Sequence, residues 1–250
     1  EVEILSVQNG PHRDIVRKGN IVSYLESGIV PYSVNSAYIT GPIPEILSGD
    51  TAELSKNYDF LSVGRTRILG RAAESIRIIS KDEHRYGHWL WLDQASGLLL
   101  KLAVVNNQGQ VLEQVQFTHV ELDEKIHPSL QQIESTDLPN VVEVPEVASE
   151  PNHSWQVSWL PEGFIEISAN THRIIHTKQP TDFKMFSDGL VDVSVYVSPS
   201  KESNRASGFA KDGATIAYNE VTSGVEISVV GKIPGATAKK MANAITFKAQ

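Results

Sequence analysis

Between Arg71 and Asp123 four extended segments follow one another with turn chemistry between them, and no other stretch constrains the fold as much. Ala73–Ser80 gives way at Lys81-Asp82-Glu83 to Arg85–Asp93 (RYGHWLWLD). Gln94-Ala95-Ser96-Gly97 leads into Leu98–Val105, and Asn106-Asn107-Gln108-Gly109 into Gln110–Asp123. Each connection carries Gly, Asn or Asp, residues that tolerate the backbone conformations of tight hairpins. Strands joined in this way form an antiparallel meander. Such a sheet has an apolar face and exposed edges, and curling it around short helices is one way to cover both. Curling also creates a concave apolar pocket.

The rest of the chain bounds the class. Its 250 residues are 40% hydrophobic and 21% charged, with room for one large domain or two modest ones. No apolar run reaches the roughly 18 residues of a membrane-spanning helix. Beginning at Glu1 without Met or a charged-then-apolar leader, the chain reads as a processed or truncated form. With no cysteines, disulfides, thiolate zinc sites and thiol catalysis are excluded. The formal net charge is −8, and no basic cluster offsets it. Nucleic acid is therefore not an expected partner, since phosphate neutralisation supplies most of that affinity. An anionic membrane surface is disfavoured for the same reason.

The span 133–152 (IESTDLPNVVEVPEVASEPN) holds five acidic residues, three prolines and no Lys or Arg. It reads as an extended acidic linker between a domain at 1–132 and a smaller one at 153–250. In the first domain, Val2–Ser6 and Ile21–Leu25 read as strands, with turns at Asn9-Gly10-Pro11 and Gly19-Asn20. Pro42–Leu47 and Thr51–Asn57 read as short helices, the second capped by Thr51 with Leu54 on its buried side. Leu61–Ile68 begins the meander.

Period-2 geometry places His88, Leu90 and Leu92 on one face of their strand and Trp89, Trp91 and Asp93 on the other. Both faces carry large apolar groups, so cover on both is expected. Two readings of the sheet compete: a packed core strand, and a face lining a cavity for an acyl chain. Trp89, Trp91 and Leu102 are the candidate ligand residues of the second reading.

After the linker, Trp155, Trp159, Leu160 and Phe164 crowd around Leu-Pro-Glu-Gly. Their aromatic density makes them candidate partner contacts, because interfaces favour Trp anchors; the competing reading is the core of a small domain. Ile165–Ser168, the hairpin Phe183–Ser187/Leu190–Val197 turning at Asp188-Gly189, Ala214–Tyr218 and Val225–Val230 read as strands. Ala236–Ile245 follows as an amphipathic helix, with Ala238, Met241, Ala242 and Ile245 at helical spacing. The fold class is thus mainly β with an α+β C-terminal part.

Chemistry is sparse. No Gly-x-Ser-x-Gly elbow, phosphate-cradling loop or Gly-x-Gly-x-x-Gly turn is present. His84/His88 and His172/His176 are spaced four apart, but neither pair sits on a helix with a completing carboxylate. Asp188 reads as a turn residue, and Asn152-His153-Ser154 is an isolated sequon. No catalytic residue, metal or cofactor is expected, and the chain does not read as an enzyme.

Several runs resemble the RseB/MucB family of bacterial periplasmic regulators. They are Gly19-Asn20-x-x-Ser23-Tyr24, Tyr58–Ile68 (YDFLSVGRTRI), His88–Asp93 with its Trp-Leu-Asp ending, and Leu112-Glu113-Gln114. In the second half they are Trp159-Leu160-Pro161-x-Gly163-Phe164, Phe186-Ser187-Asp188-Gly189-Leu190, and Val230-Gly231-x-Ile233-Pro234 before an Ala-Lys-Lys helix. The likeness runs almost end to end in the same order. Family members carry a signal peptide and further residues ahead of this chain's start, so the first domain is expected to lack its opening elements.

The resemblance implies a curved antiparallel half-barrel like that of lipoprotein carriers, joined to a small α+β domain with a C-terminal helix. It implies a non-enzymatic negative regulator of the periplasmic envelope stress response. Such a protein binds the periplasmic domain of a membrane anti-sigma factor (RseA/MucA type), shields it from site-1 proteolysis, and lets go on sensing lipopolysaccharide, another acyl-chain ligand or mislocalised lipoprotein. The smaller domain is implicated in holding the anti-sigma factor. Homodimerisation is left open. A periplasmic lipid or lipoprotein shuttle and a plain scaffold are the alternatives.

Overall fold

The computed structural model describes residues 2–7, 12–36, 39, 51–120, 127–142, 154–173, 180–200 and 206–247. By internal contacts the chain divides into two compact units, Glu1–Pro42 with Glu121–Glu146, and Ile43–Val120 with Val147–Gln250. Among the described residues there are three helices, α1 (Thr51–Asn57), α2 (Pro128–Glu134) and α3 (Gly235–Asn243). The architecture is mainly β, as expected. Among the described residues every sheet is open and antiparallel, and none closes into a barrel.

The first unit is a four-stranded meander, β1 (Val2–Val7), β2 (Arg13–Lys18), β3 (Ile21–Glu26) and β4 (Tyr32–Asn35), in sequential order. Lys18 pairs with Ile21 across a two-residue turn in which Gly19 adopts φ +63°. Ile15, Val16 and Val22 are buried. The buried hydroxyls of Ser23 and Ser33 share a hydrogen bond of 2.8 Å, and Ser33 Oγ donates to the Pro139 carbonyl at 2.7 Å. The Ser33 N–H donates to Asn140 O, and Val142 N–H donates to Ser33 O, making a parallel bridge between Ser33 and Val141. The described part of the expected 133–152 linker is therefore the end of α2 and a strap hydrogen-bonded to β4. Residues 143–152 lie outside the described residues, as do the expected turn at Asn9-Gly10-Pro11, the Pro42–Leu47 helix and the His172/His176 side chains.

The second unit holds two larger sheets. The meander runs in order through β5 (Tyr58–Ile68), β6 (Arg71–Ser80), β7 (Gly87–Asp93), β8 (Leu99–Val105) and β9 (Val111–Gln116). The hairpins β6–β7, β7–β8 and β8–β9 are those the turn residues announce, although the last strand stops at Gln116 rather than Asp123. The other sheet has the order β11-β12-β13-β16-β15-β14. Its strands are β11 (Ile165–Arg173), β12 (Pro180–Ser187), β13 (Asp192–Pro199), β14 (Gly208–Asp212), β15 (Thr215–Thr222) and β16 (Val225–Gly231). A short pair, β10 (Trp155–Val157) with β17 (Ile245–Phe247), completes the strands.

One apolar cluster unites these two sheets. It draws Leu54 from α1, Tyr58, Ile78, Leu90, Leu99 and Leu102 from the meander, and Phe186, Val193, Val195, Tyr218 and Val229 from the six-stranded sheet. Ala238, Met241 and Ala242 of α3 complete it, the positions that helical spacing selects. Ile245, expected to close that helix, instead pairs with Val157 in β17.

Candidate functional site

The connection Lys81–Tyr86 turns the chain from β6 to β7, and His84 N–H donates to Asp82 Oδ1 at 2.9 Å to hold the turn. This turn carries Arg85 inward, where the side chain is fully buried. Asp188, also fully buried, lies opposite it, with Arg85 Nε 3.3 Å from Asp188 Oδ2. Tyr58 donates its hydroxyl to the same oxygen at 2.7 Å. Asp188 Oδ1 accepts from Leu190 N–H and Val191 N–H, which fixes the β12–β13 turn, where Gly189 adopts φ +89°. Arg85 Nη2 donates to the Glu162 carbonyl and lies 3.4 Å from Asp82 Oδ2. The rings of Tyr58 and Phe164 stand 5.5 and 5.3 Å from the guanidinium carbon. Burial, and next the Asp188 charge, push the Tyr58 phenol well above its ordinary range. The network ties the meander to the 161–164 corner and to the six-stranded sheet through one ion pair.

A second polar contact lies further along the same packing. His88 is buried on the meander face that carries Leu90. Glu113 of β9 accepts from Lys232 Nζ at 2.7 Å and from Ala214 N–H at 3.3 Å. Desolvation, with a smaller push from Lys232 and a partial offset from Glu113, lowers the His88 pKa to about 4.

The four aromatic and apolar residues past the acidic stretch divide by burial. Trp155 is 1% exposed and Phe164 6%. Both belong to the apolar cluster. Trp155 Nε1 donates to Asp182 at 3.2 Å, and Lys184 Nζ stands 5.3 Å from its ring. Trp159 and Leu160 are half-buried at the cluster's margin. Lys240 of α3 lies over the Trp159 ring at 3.8 Å, and His84 meets the ring edge-on at 5.0 Å. Trp159 and Leu160 are thus the more accessible of the four, and Trp155 and Phe164 are core.

The three expected ligand residues are not brought together. Leu102 pairs with Leu90 and is buried in the shared cluster, whereas Trp89 pairs with Ala103 and Trp91 with Lys101 on the opposite face. The expectation of a second covering layer also differs from what is found. Trp89 and Trp91 are half-buried, meet at 6.4 Å edge to face, and are flanked by Arg77 at 4.8 Å and Lys101 at 4.9 Å. Sequence reasoning passed over Arg85 altogether, because an arginine beside a turn ordinarily lies in solvent. No group of three or more His, Asp or Glu able to hold a metal occurs among the described residues.

Comparison with known proteins places this scaffold. Residues 1–142 match the MucB/RseB N-terminal domain and residues 149–246 the MucB/RseB C-terminal domain. The Sigma-E factor regulatory protein RseB of Escherichia coli K12 is 34% identical over 242 residues, covering 96% of this chain and 76% of that protein. The Sigma factor AlgU regulatory protein MucB of Pseudomonas aeruginosa is 31% identical over 200 residues, covering 78% and 63%. A crystal structure of MucB in complex with MucA(peri) superposes with a TM-score of 0.70 at 26% identity, covering 100% of this chain and 92% of that one. A two-sheet β scaffold with this sequence pattern is thus a known class, and the chain belongs to the MucB/RseB family.

Proposed function

We propose that this chain is a non-enzymatic periplasmic regulator that binds the periplasmic domain of a membrane anti-sigma factor and shields it from site-1 proteolysis. The observation that carries the reading is the end-to-end likeness to MucB, whose structure is known with MucA(peri) bound, together with relatives named as sigma-factor regulators. The proposed roles are sensing within 1–132 and anti-sigma binding within 153–250, two parts whose meander and six-stranded sheet share one apolar core. Trp159 and Leu160, half-buried at the margin of the cluster, are the candidates for the partner contact, with buried Trp155 and Phe164 in the same cluster. Release would follow the binding of lipopolysaccharide or another acyl-chain ligand, and only a ligand with different affinity for the bound and free forms can shift that balance. An acyl chain that reached Leu102 would have to part the meander from the six-stranded sheet, because Leu102 is buried in the cluster the two share.

A protection assay tests the reading. The periplasmic domain of the cognate anti-sigma factor is digested by its site-1 protease with and without this chain, and again with lipopolysaccharide added. The reading expects slowed cleavage that lipopolysaccharide restores. Cleavage at the same rate with and without the chain overturns it.

A further inference from the structure

The solvent-facing side of the five-stranded meander carries two ordered rows. Leu61, Arg77, Trp89, Ala103 and Gln114 lie side by side across β5 to β9, and Ser75, Trp91, Lys101 and Gln116 form the next row. Neighbouring rows on one sheet face are spaced about 7 Å apart. Ala103 is buried beneath this surface, whereas Leu61 is 49% exposed. Ile79, on the same face as Arg77, is 45% exposed. Two cations stand against two tryptophans, and neither cation has a carboxylate partner among the described residues. Two acids on this face have other partners: Asp59, paired with Ile79, lies 3.4 Å from Lys81 Nζ, and Asp93 is held by Arg71 and Ser96. Arg71 donates to both of its oxygens at 2.8 Å, and Ser96 donates to Oδ2 at 2.7 Å.

We infer that this face is a docking surface for an extended, acidic segment of a partner protein. Tryptophan and arginine are the side chains that most often anchor protein interfaces. Here they stand in register with apolar Leu61 on one side and amide-bearing Gln114 and Gln116 on the other. The cations supply charge complementarity for carboxylates, and the glutamines can meet a partner's backbone. A peptide is favoured over an anionic lipid surface because each indole is already faced by a cation, Arg77 at 4.8 Å from Trp89 and Lys101 at 4.9 Å from Trp91, so the rings stand as parts of a charged surface rather than as free apolar anchors for a bilayer. The surface is separate from Trp159 and Leu160, and its assignment does not rest on the anti-sigma reading.

The test uses the full chain and three probes: an acetylated dodecapeptide alternating Glu and Leu, its Lys/Leu counterpart, and phosphatidylglycerol–phosphatidylcholine vesicles. Binding is followed by tryptophan fluorescence at low and high salt. The acidic peptide is expected to bind saturably, at least about tenfold tighter than the basic one, and more weakly in high salt. The double reversal Arg77→Glu/Lys101→Glu should lose at least about tenfold in affinity, and Arg77→Lys/Lys101→Arg should keep most of it. If the reversal lowers the melting temperature, Arg77→Gln/Lys101→Gln takes its place. Equal binding of the two peptides, unchanged affinity in the neutralised variant, or binding to vesicles alone would each overturn the assignment.

Discussion

Asp188 does two jobs with two oxygens. Oδ1 fixes the turn between β12 and β13, and Oδ2 faces the buried Arg85 and accepts from Tyr58. Removing one partner of such a pair leaves the other charge buried alone, so Asp188→Ala should cost about 3–5 kcal/mol in urea unfolding. A cost below about 1 kcal/mol would mean that water reaches Arg85. His88 gives the pH signature of the same packing. In the fold it stays neutral down to about pH 4, whereas unfolded it takes its proton near the ordinary 6.5. Between those values the unfolded chain binds more protons, so stability falls as pH falls through this window and levels off below it, a loss of about 3 kcal/mol from this group. His88→Gln should remove that part of the acid sensitivity, read as a smaller difference between unfolding free energies at pH 7 and pH 4.5. Trp155→Ala should cost about 3–5 kcal/mol as a core truncation, and half-buried Trp159→Ala clearly less. At this scale the sequence was only partly legible. It marked Asp188 as a turn residue, but nothing local shows that Arg85 turns inward to meet it.

Among elements, hairpin chemistry was the most readable signal. Asp188-Gly189 and the Gly97 and Gly109 turns fall where expected, each glycine with positive φ. The unexpected case is Leu69-Gly70, a two-residue turn joining Ile68 to Arg71 in which Leu69 itself has φ +53°. A branched side chain there is strained by about 1–2 kcal/mol, which Asn avoids. Leu69→Asn should therefore raise stability by about 1 kcal/mol, seen as a higher urea midpoint at constant m-value. Strand β2 and helix α2 were not anticipated. The first is flanked by charges at both ends (RDIVRK), which hides its apolar centre. The second buries no side chain and starts at Pro128 behind a His127 cap, so it shows no amphipathic stripe. By composition the strap beyond it reads as an extended linker, because acids and prolines say nothing of the Ser33 hydrogen bonds that hold it. Ser33→Ala should leave Ser23 and the Pro139 carbonyl without their shared partner at a cost of about 1–3 kcal/mol. Hydrogen exchange at the Val142 amide should rise with it.

At the scale of the whole molecule, the mainly β architecture and the family are legible because the runs that carry the likeness, Tyr58–Ile68 and Phe186–Leu190 among them, are strands and turns of the two larger sheets. The candidate site was less so. Period-2 reasoning separated Trp89 and Trp91 from Leu90, yet Leu102 was grouped with the tryptophans although register places it on the other face. Pairing across strands is a long-range property that a single segment does not reveal. The central claim, that this scaffold binds an anti-sigma factor and releases it in response to lipid, is tested most directly by calorimetric titration. The full chain is titrated with the periplasmic domain of the cognate anti-sigma factor, with and without lipopolysaccharide below its aggregation concentration. The account predicts saturable one-to-one binding that lipopolysaccharide weakens and that Trp159→Ala reduces without unfolding the chain. No heat of binding from the folded full chain, or binding that lipopolysaccharide leaves untouched, would contradict it.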